Sequence, residues 1–453
     1  MKEQKLPQLD LKETGSVPSS YSIHISRASD PLESADSNRD SASVFVSNIN
    51  NNTSTAFTNN KTLILRIIKD AGAISRKDLA YHSGLTPASI TSITKELMQY
   101  GLVTESGIVE GNHGRRMSGL SLRTDRFCTI AGRITSKYYA FGIYDINSKC
   151  IEVKKQYIEA FQNVSRTVQE ITAAIRSYLS RAKELSLEPL GIAIGVTGDF
   201  RLSSSACFMM GEDGVIIDIQ KYLTREFSLP LLFGSSSNYT AYSFLCRRDF
   251  NFLSNESVAL VSLSFSIDTT IIRNRQIHTG AVDVPGLAGK LTIVDPYTGR
   301  PTRLEDCIST QAMLNRAERM AADNPESVLH GIRHLRSRDV FNAFADFDPV
   351  AVSVIKYFAD VLGIYLAELT LLLLPDRILL NDEIPISGEF DQMVRQSFAR
   401  HLPISLGYLP IIGSDKRIQR MTSVDPSIIG GSMFLTNKLL QSQKWLDRLK
   451  ETK

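Results

Sequence analysis

Between Asn59 and Leu122, three short apolar-periodic segments are separated by single glycines and followed by a glycine-rich hairpin pattern, a succession that few folds accommodate. Leu63, Ile64, Ile67 and Ile68 repeat at helical spacing through Lys69, and Gly72 stops the helix. Ser75 is placed to cap a second short helix, with Asp78 in capping-box position and Leu79 and Ala80 facing inward. Gly84 makes a turn. Thr86 then caps a third helix with Pro87 at its first position, and Ile90, Ile93 and Leu97 form its buried stripe up to Gly101. Leu102 and Val103, a loop through Gly107, Gly111 and Gly114, and Leu120-Ser121-Leu122 read as strand, tip and returning strand. Three short helices and a hairpin predict a winged helix-turn-helix over residues 58–125.

Side-chain chemistry gives that layout a use. Burying Ile90, Ile93 and Leu97 leaves Thr86, Ser89, Thr91, Ser92 and Lys95 outward, small polar or basic groups that can enter a major groove. Arg115 and Arg116, beside His113 at the tip, can reach phosphates or a narrow minor groove. Residues 61–125 hold nine Lys or Arg against six Asp or Glu, an excess gathered on the surfaces that would face DNA. The blander alternatives are a protein-interaction module, a merely solvated Lys95 and a His113 that is only a loop residue.

Elsewhere composition mainly excludes. Residues 1–57 are rich in Ser, Asn, Asp and Thr, which favours disorder because little apolar surface is available to offset chain entropy. Five scattered cysteines (Cys128, Cys150, Cys207, Cys246, Cys307), with no CxxC among them, argue against a disulfide framework or cysteine zinc site and fit a reducing cytoplasm. The apolar stretch Ala351–Leu374 contains Lys356, Asp360 and Glu368, so it reads as a core helix rather than a membrane span. From Arg126 onward strands and helices alternate: a strand pair over Thr129–Ile146, a helix over Val164–Leu185, a buried strand over Leu190–Val196, further strand over Val258–Ile272 and at Ile277, and helix over Val350–Leu373. That mixture indicates an α/β domain over residues 126–453.

Ser75-Arg76-Lys77-Asp78-Leu79-Ala80, Ser83-Gly84-Leu85-Thr86, Gly101-Leu102-Val103 and Gly114-Arg115-Arg116 resemble the amino-terminal domain of repressors of the ROK family (repressors, open reading frames and kinases). Val294-Asp295-Pro296-Tyr297, Leu304-Glu305 leading into Ser309, Leu362-Gly363, Leu374-Pro375-Asp376 and Ile378-Leu379-Leu380 resemble landmarks of its sugar-kinase-like domain, so the resemblance runs over about residues 59–440. It implies a two-lobed, actin-like ATPase fold with a sugar cleft between the lobes, following the winged helix.

Several departures from the family's kinases bear on activity. The first phosphate loop, glycine-rich in kinases, reads Ala131-Gly132-Arg133-Ile134-Thr135-Ser136-Lys137, and bulky residues block backbone approach to phosphate. The second reads Ser264-Phe265-Ser266-Ile267-Asp268-Thr269-Thr270, without glycine and with a carboxylate where a triphosphate would lie. The catalytic Asn-Asp-Ala-Asn segment, aligned on Asn238, becomes Ser235-Ser236-Ser237-Asn238, so Ser236 replaces the general base. The Glu-x-Gly-His sugar segment becomes Ala288-Gly289-Lys290-Leu291, and the zinc loop between Tyr297 and Leu304 is short and has no cysteine. Cys307 lies beyond it and reads as an ordinary buried residue.

The expectation is a cytoplasmic, non-enzymatic transcription regulator, a repressor by analogy, with no metal or cofactor. It binds an operator in double-stranded DNA as a homodimer or homotetramer. A degenerate pocket of Ser235, Ser236, Asn238, Ala288, Leu291 and Glu305 would serve a sugar-like effector, if any, with a protein partner as the alternative input. The competing readings are a carbohydrate kinase with an appended winged helix and a protein-interaction scaffold.

Overall fold

The computed structural model describes residues 45–46, 60–110, 116–158, 163–197, 207–210, 215–246, 255–264, 266–278, 286–382, 384–385, 387–403, 417–421, 425–442, 445–446 and 449. All belong to the unit formed by residues 42–453. The disorder expected for residues 1–57 lies outside the described residues except at β1 (Phe45–Val46), where two apolar residues of that polar tract form a short strand.

The capping logic read from the sequence operates in the winged helix. α1 (Asn60–Ala71) buries Ile64, Leu65 and Ile68, and Gly72 ends it at φ 77°. β2 (Ile74–Ser75) leads into α2 (Arg76–Ser83), where the Ser75 hydroxyl accepts from the Asp78 N–H at 3.1 Å. Leu79 is fully buried and Ala80 partly so. Gly84 closes α2 at φ 70°, and α3 (Pro87–Gln99) opens on the Thr86 cap with Pro87 in its first turn. Its buried stripe is Ile90, Thr94 and Leu97, with Ile93 only half-buried; Thr94 is tolerated inside because its hydroxyl donates to the Ile90 carbonyl at 2.8 Å. β3 (Val103–Glu110) and β4 (Arg116–Leu122) form the wing, and β2 pairs on the far side of β4. Gly107, expected in the loop, instead sits at a register shift between Ser106 and Ile108 inside β3, a β-bulge that lets the strand run on to Glu110.

Two sheets of one plan follow. In the first lobe come β5 (Phe127–Ile134), β6 (Tyr138–Asp145), β7 (Cys150–Tyr157), α4 (Val164–Glu184), β8 (Glu188–Val196), the hairpin β9 (Cys207–Met210) and β10 (Val215–Asp218), α5 (Ile219–Glu226), β11 (Leu231–Ser235) and α6 (Ser236–Leu245). Its sheet runs β1-β11-β8-β5-β6-β7. β5 and β6 are buried along their whole length, whereas the edge strand β7 is exposed and carries Lys154 and Lys155, which discourage edge pairing. In the second lobe come β12 (Ser257–Leu263), β13 (Ile267–Arg273), β14 (Gln276–His278), the hairpin β15 (Thr292–Val294) and β16 (Pro301–Arg303), helices α7 (Glu305–Ile308), α8 (Thr310–Ala322), α9 (Ser337–Ala345) and α10 (Pro349–Leu373), then β17 (Arg377–Asp382), α11 (Gly388–His401), β18 (Ile418–Arg420) and α12 (Pro426–Leu440). Its sheet runs β14-β13-β12-β17-β18, so both lobes join an antiparallel meander to parallel strands.

The chain crosses back at its last long helix: α12 packs on α6, β8 and β5 of the first lobe. One apolar core runs from Ile64, Leu65 and Ile68 of α1 through Tyr239 to Phe434, Leu439, Leu446 and Leu449, so the winged helix and first lobe share an interior. Among the described residues α10 alone is long and apolar enough to cross a membrane, and most of its apolar stretch lies buried in the second lobe, as expected of a core helix.

Candidate functional site

On α3, residues 91, 92 and 95 share one exposed face because the buried stripe occupies positions 90, 94 and 97. Thr86 and Ser89 sit at the start of the same helix, their hydroxyls 2.9 Å apart. The Thr91 hydroxyl donates to the Pro87 carbonyl at 2.9 Å, which leaves its lone pairs to accept from outside. Arg76 was not singled out from the sequence, yet it lines a shallow hollow with Thr91, Lys95, Met98 and Gln99 and pairs with Glu105 at 3.0 Å. Its position as the first residue of α2, whose partner helix presents Lys95, is the signal that could have found it. Arg116 begins β4 opposite Glu110, at the base of the wing tip, while Arg115 and His113 lie outside the described residues.

The cleft between the lobes is divided into two chambers that share Thr197 and Asp268. The first, with a volume of about 290 Å³, has Arg133, Thr197 and Ser236 on its first-lobe side and Ser262, Asp268 and Asn381 on its second-lobe side. Arg133 Nε donates to Thr197 Oγ1 at 3.0 Å, and that hydroxyl donates to Ser236 Oγ at 2.9 Å. The Arg133 guanidinium also lies 3.8 Å from Asp425. Ser237 Oγ donates to Asp268 Oδ2 at 3.0 Å. Burial pushes the Asp268 carboxyl up to about 6, opposed by that hydrogen bond and by the charges of Arg133 and Lys290. The second chamber, about 400 Å³, is walled by Thr135, Ser136, Lys290, Glu305, Ser309 and Arg319 among others.

The six residues expected to form one pocket do not converge. Ser236 lines the first chamber and Glu305 the second. Ser235, at the end of β11, and Asn238, on α6, are buried and line neither; Asn238 accepts from Thr270 Oγ1 at 3.5 Å. Ala288 is buried in a 3₁₀ turn, and Leu291, just past that turn, is 51% exposed and lies outside both chambers. Glu305 is held by Lys290 at 3.0 Å and Arg303 at 3.8 Å, so its carboxylate already has cationic partners. Of the second phosphate segment, Asp268 stands on β13 rather than in a loop. The short segment expected to replace a zinc loop is the turn of the β15–β16 hairpin, where Asp295 accepts from the N–H groups of Tyr297 and Thr298 at 2.8 and 3.0 Å and from the Tyr357 hydroxyl at 2.8 Å. Cys307 is buried beside it.

Comparison with known proteins agrees with this architecture. The chain is 24% identical over 377 residues to the DNA-binding transcriptional repressor Mlc of Escherichia coli K12, covering 76% of this chain and 88% of Mlc. It is 21% identical over 338 residues to the xylose repressor of Caldicellulosiruptor bescii, covering 73% of this chain and 84% of that protein. A solved ROK family transcriptional regulator, described as a homolog of E. coli MLC protein, superposes with a TM-score of 0.67 at 21% identity, over 86% of this chain and 98% of its own, which shows the shared fold. These relatives favour the regulator over the kinase reading. Residues 57–107 match the MarR family, in keeping with a winged helix. Residues 134–435, about two-thirds of the sequence, match the ROK family, and the chain therefore belongs to it.

Proposed function

We propose that this protein is a sequence-specific DNA-binding transcription regulator, a repressor by analogy with its relatives, acting in the cytoplasm without phosphoryl transfer. The observation that carries this reading is the polar exposed face Thr91-Ser92-Lys95 on a capped helix, next to a two-stranded wing bearing Arg116. Thr86 to Lys95 would read the major groove, and Arg115 and Arg116 would contact backbone or minor groove.

Several features of the cleft support a non-catalytic role. Ser236, in the position of the general base, is a hydroxyl engaged by Thr197 and cannot take a proton near neutral pH. Arg133 and Asp268, from the two segments that stand where the family's kinases carry glycine-rich phosphate loops, both line the first chamber, which supports a cleft that does not take a triphosphate. A sugar-like compound is the effector class that the repressor relatives suggest, and its binding would shift the population of DNA-competent molecules.

The DNA-binding form is a homo-oligomer. Leu371, Leu372, Leu373 and Leu374 at the end of α10 remain 38–80% exposed, an apolar edge suited to a second copy. Two-fold pairing predicts a near-palindromic operator with half-sites one or more helical turns apart. The test is selection of binding sites from sheared genomic DNA of the source organism at physiological salt, repeated with Arg115 and Arg116 replaced by alanine. Enrichment of a palindrome that weakens in the variant supports the regulator; no enrichment in either turns the winged helix over to a protein partner.

A further inference from the structure

Residues 61–125 set six carboxylates against nine Lys or Arg, so the placing of each carboxylate decides how much of that positive charge a duplex meets. Asp70 pairs with Arg66 of its own helix at 3.5 Å, Asp78 accepts from the Ser75 hydroxyl at 2.7 Å, Glu96 pairs with Lys61 at 2.6 Å, and Asp125 pairs with Arg123 at 2.8 Å. Glu110 stands opposite Arg116 in the register of the wing. Glu105 has a different station. Its partner is Arg76, which lines the hollow beside the reading face of α3 together with Thr91, Lys95, Met98 and Gln99.

Strand order explains how two residues so placed come to meet. β2 pairs with one side of β4 and β3 with the other, and Ile74 and Glu105 stand in register with the same residue of β4, Leu120. Arg76, two residues beyond Ile74 and first in α2, therefore reaches across β4 to the edge strand. Its Nη2 lies 3.0 Å from Glu105 Oε1 and 3.9 Å from the Met98 sulfur. Both side chains stay open to water, Arg76 at 36% and Glu105 at 54%. An exposed pair of this kind contributes little to stability and can exchange partners without unfolding anything. What it does change is charge: paired, the two present none to DNA, whereas a released Arg76 presents a guanidinium able to grip phosphate with two N–H groups at once.

Thr91 and Lys95 line the same hollow, so a duplex seated on their face of α3 brings its backbone toward Arg76. This agrees with the general docking of such motifs, in which the helix before the reading helix crosses the backbone. A phosphate held there competes with Glu105 for the guanidinium. The exchange succeeds when contacts from α3 to fitting bases hold the duplex close and in one register. On other DNA the duplex has no fixed register, the pair stays closed, and the Glu105 carboxylate repels the backbone.

We propose that Glu105 is a built-in counter-charge that withholds Arg76 from DNA of the wrong sequence and yields it to a phosphate of the operator, which makes a residue on the edge strand of the wing a determinant of specificity. The inference deepens the DNA-binding reading above and rests on it.

The test uses the full chain and a short labelled duplex of random sequence, titrated by fluorescence anisotropy from low to physiological salt. Glu105→Gln binds this duplex roughly threefold or more tightly than the wild type at physiological salt, and its logarithmic salt slope steepens by about one, the increment for one further phosphate neutralised. In an Arg76→Gln background the same change leaves the slope where it was, because no guanidinium is released. On the operator recovered by selection the gain is smaller than on the random duplex, since there the wild type has already given Arg76 up. Glu105→Ser, equally uncharged, repeats the series should the glutamine variant not fold. A slope unaltered by removal of the Glu105 charge, or steepened as much without Arg76, overturns the proposal. Equal gains on the operator and the random duplex overturn the part in specificity. Failure of the wild type and every variant to bind either duplex overturns the DNA-binding reading and this inference with it, whereas binding that ignores Glu105 overturns the inference alone.

Discussion

Gly430 of α12 lies against the backbone of Tyr239 in α6 so closely that a Cβ at this position would fall 1.8 Å from the Tyr239 carbonyl oxygen. No side-chain rotation relieves such a contact, because the obstructing atom is backbone. Gly430→Ala should therefore push α6 and α12 apart and destabilise the chain by about 1–3 kcal/mol or more, the range for overpacked interiors. Denaturant unfolding checks this, and a variant as stable as the wild type would show that the helices do not pack this closely.

At the proposed DNA face, replacing Arg115 and Arg116 by alanine should weaken binding to every sequence and reduce the salt slope by about two, one for each phosphate that the variant no longer neutralises. Lys95→Ala and Ser92→Ala should instead alter the preferred sequence. Titrations over a range of salt on the selected operator and on scrambled DNA separate the two effects; an unchanged slope in the double-arginine variant sinks the wing assignment.

The purified chain should release no ADP from ATP with D-glucose, D-xylose or N-acetyl-D-glucosamine, and Ser236→Asp should not restore transfer. A carboxylate at that position supplies a base, but the segments around Arg133 and Asp268 still lack the glycines that would let backbone approach a phosphate. Sugar-dependent ADP release by the variant would show that the cleft remains a working nucleotide site.

Asp268 gives a pH signature. Its carboxyl rises from 3.8 when unfolded to about 6 in the folded chain, so between those values the folded state holds the extra proton. Its contribution to stability is present below about pH 4 and is lost as pH rises through about 6. Asp268→Asn removes this dependence, so the variant should gain on the wild type across that window by at most about 3 kcal/mol. Urea unfolding at both ends of the window measures it; a constant difference contradicts the shift.

Leu372, 80% exposed in the run that ends α10, is the natural place to break pairing between copies. Leu372→Glu should lower the mass measured by light scattering without changing unfolding of the single chain. An unchanged mass places the oligomer contact elsewhere.

The winged helix was legible because its signals are local. Ser75, Gly84, Thr86 and Pro87 each act within one turn of where they stand, and the structure uses the first three as caps and Pro87 as the first residue of its helix. The wing was less legible, since a bulge at Gly107 cannot be told from a loop without the partner strand's register. The cleft was legible as a departure from the family's kinases but not as a shape. Arg133, Thr197, Ser262, Asn381 and Asp425 come from both lobes and from far apart in sequence, and only sheet register and the return of α12 bring them together. Leu291 was misplaced for a related reason: the 3₁₀ turn at Ala288–Lys290 turns the following residue outward.

The interior shared by the winged helix and the first lobe has a consequence for how the protein is made. Ile64, Leu65 and Ile68 emerge early from the ribosome, yet part of their apolar cover, Phe434, Leu439, Leu446 and Leu449, is synthesised almost four hundred residues later. Until α12 arrives, α1 lacks part of its seat, and Lys69 lacks the amide oxygen that accepts its hydrogen bond. A product of premature termination before Pro426 would thus carry Thr86 to Lys95 and the wing on an unfinished scaffold. Through this return of the chain, a finished interior for the winged helix is reserved for copies whose last long helix has also been made.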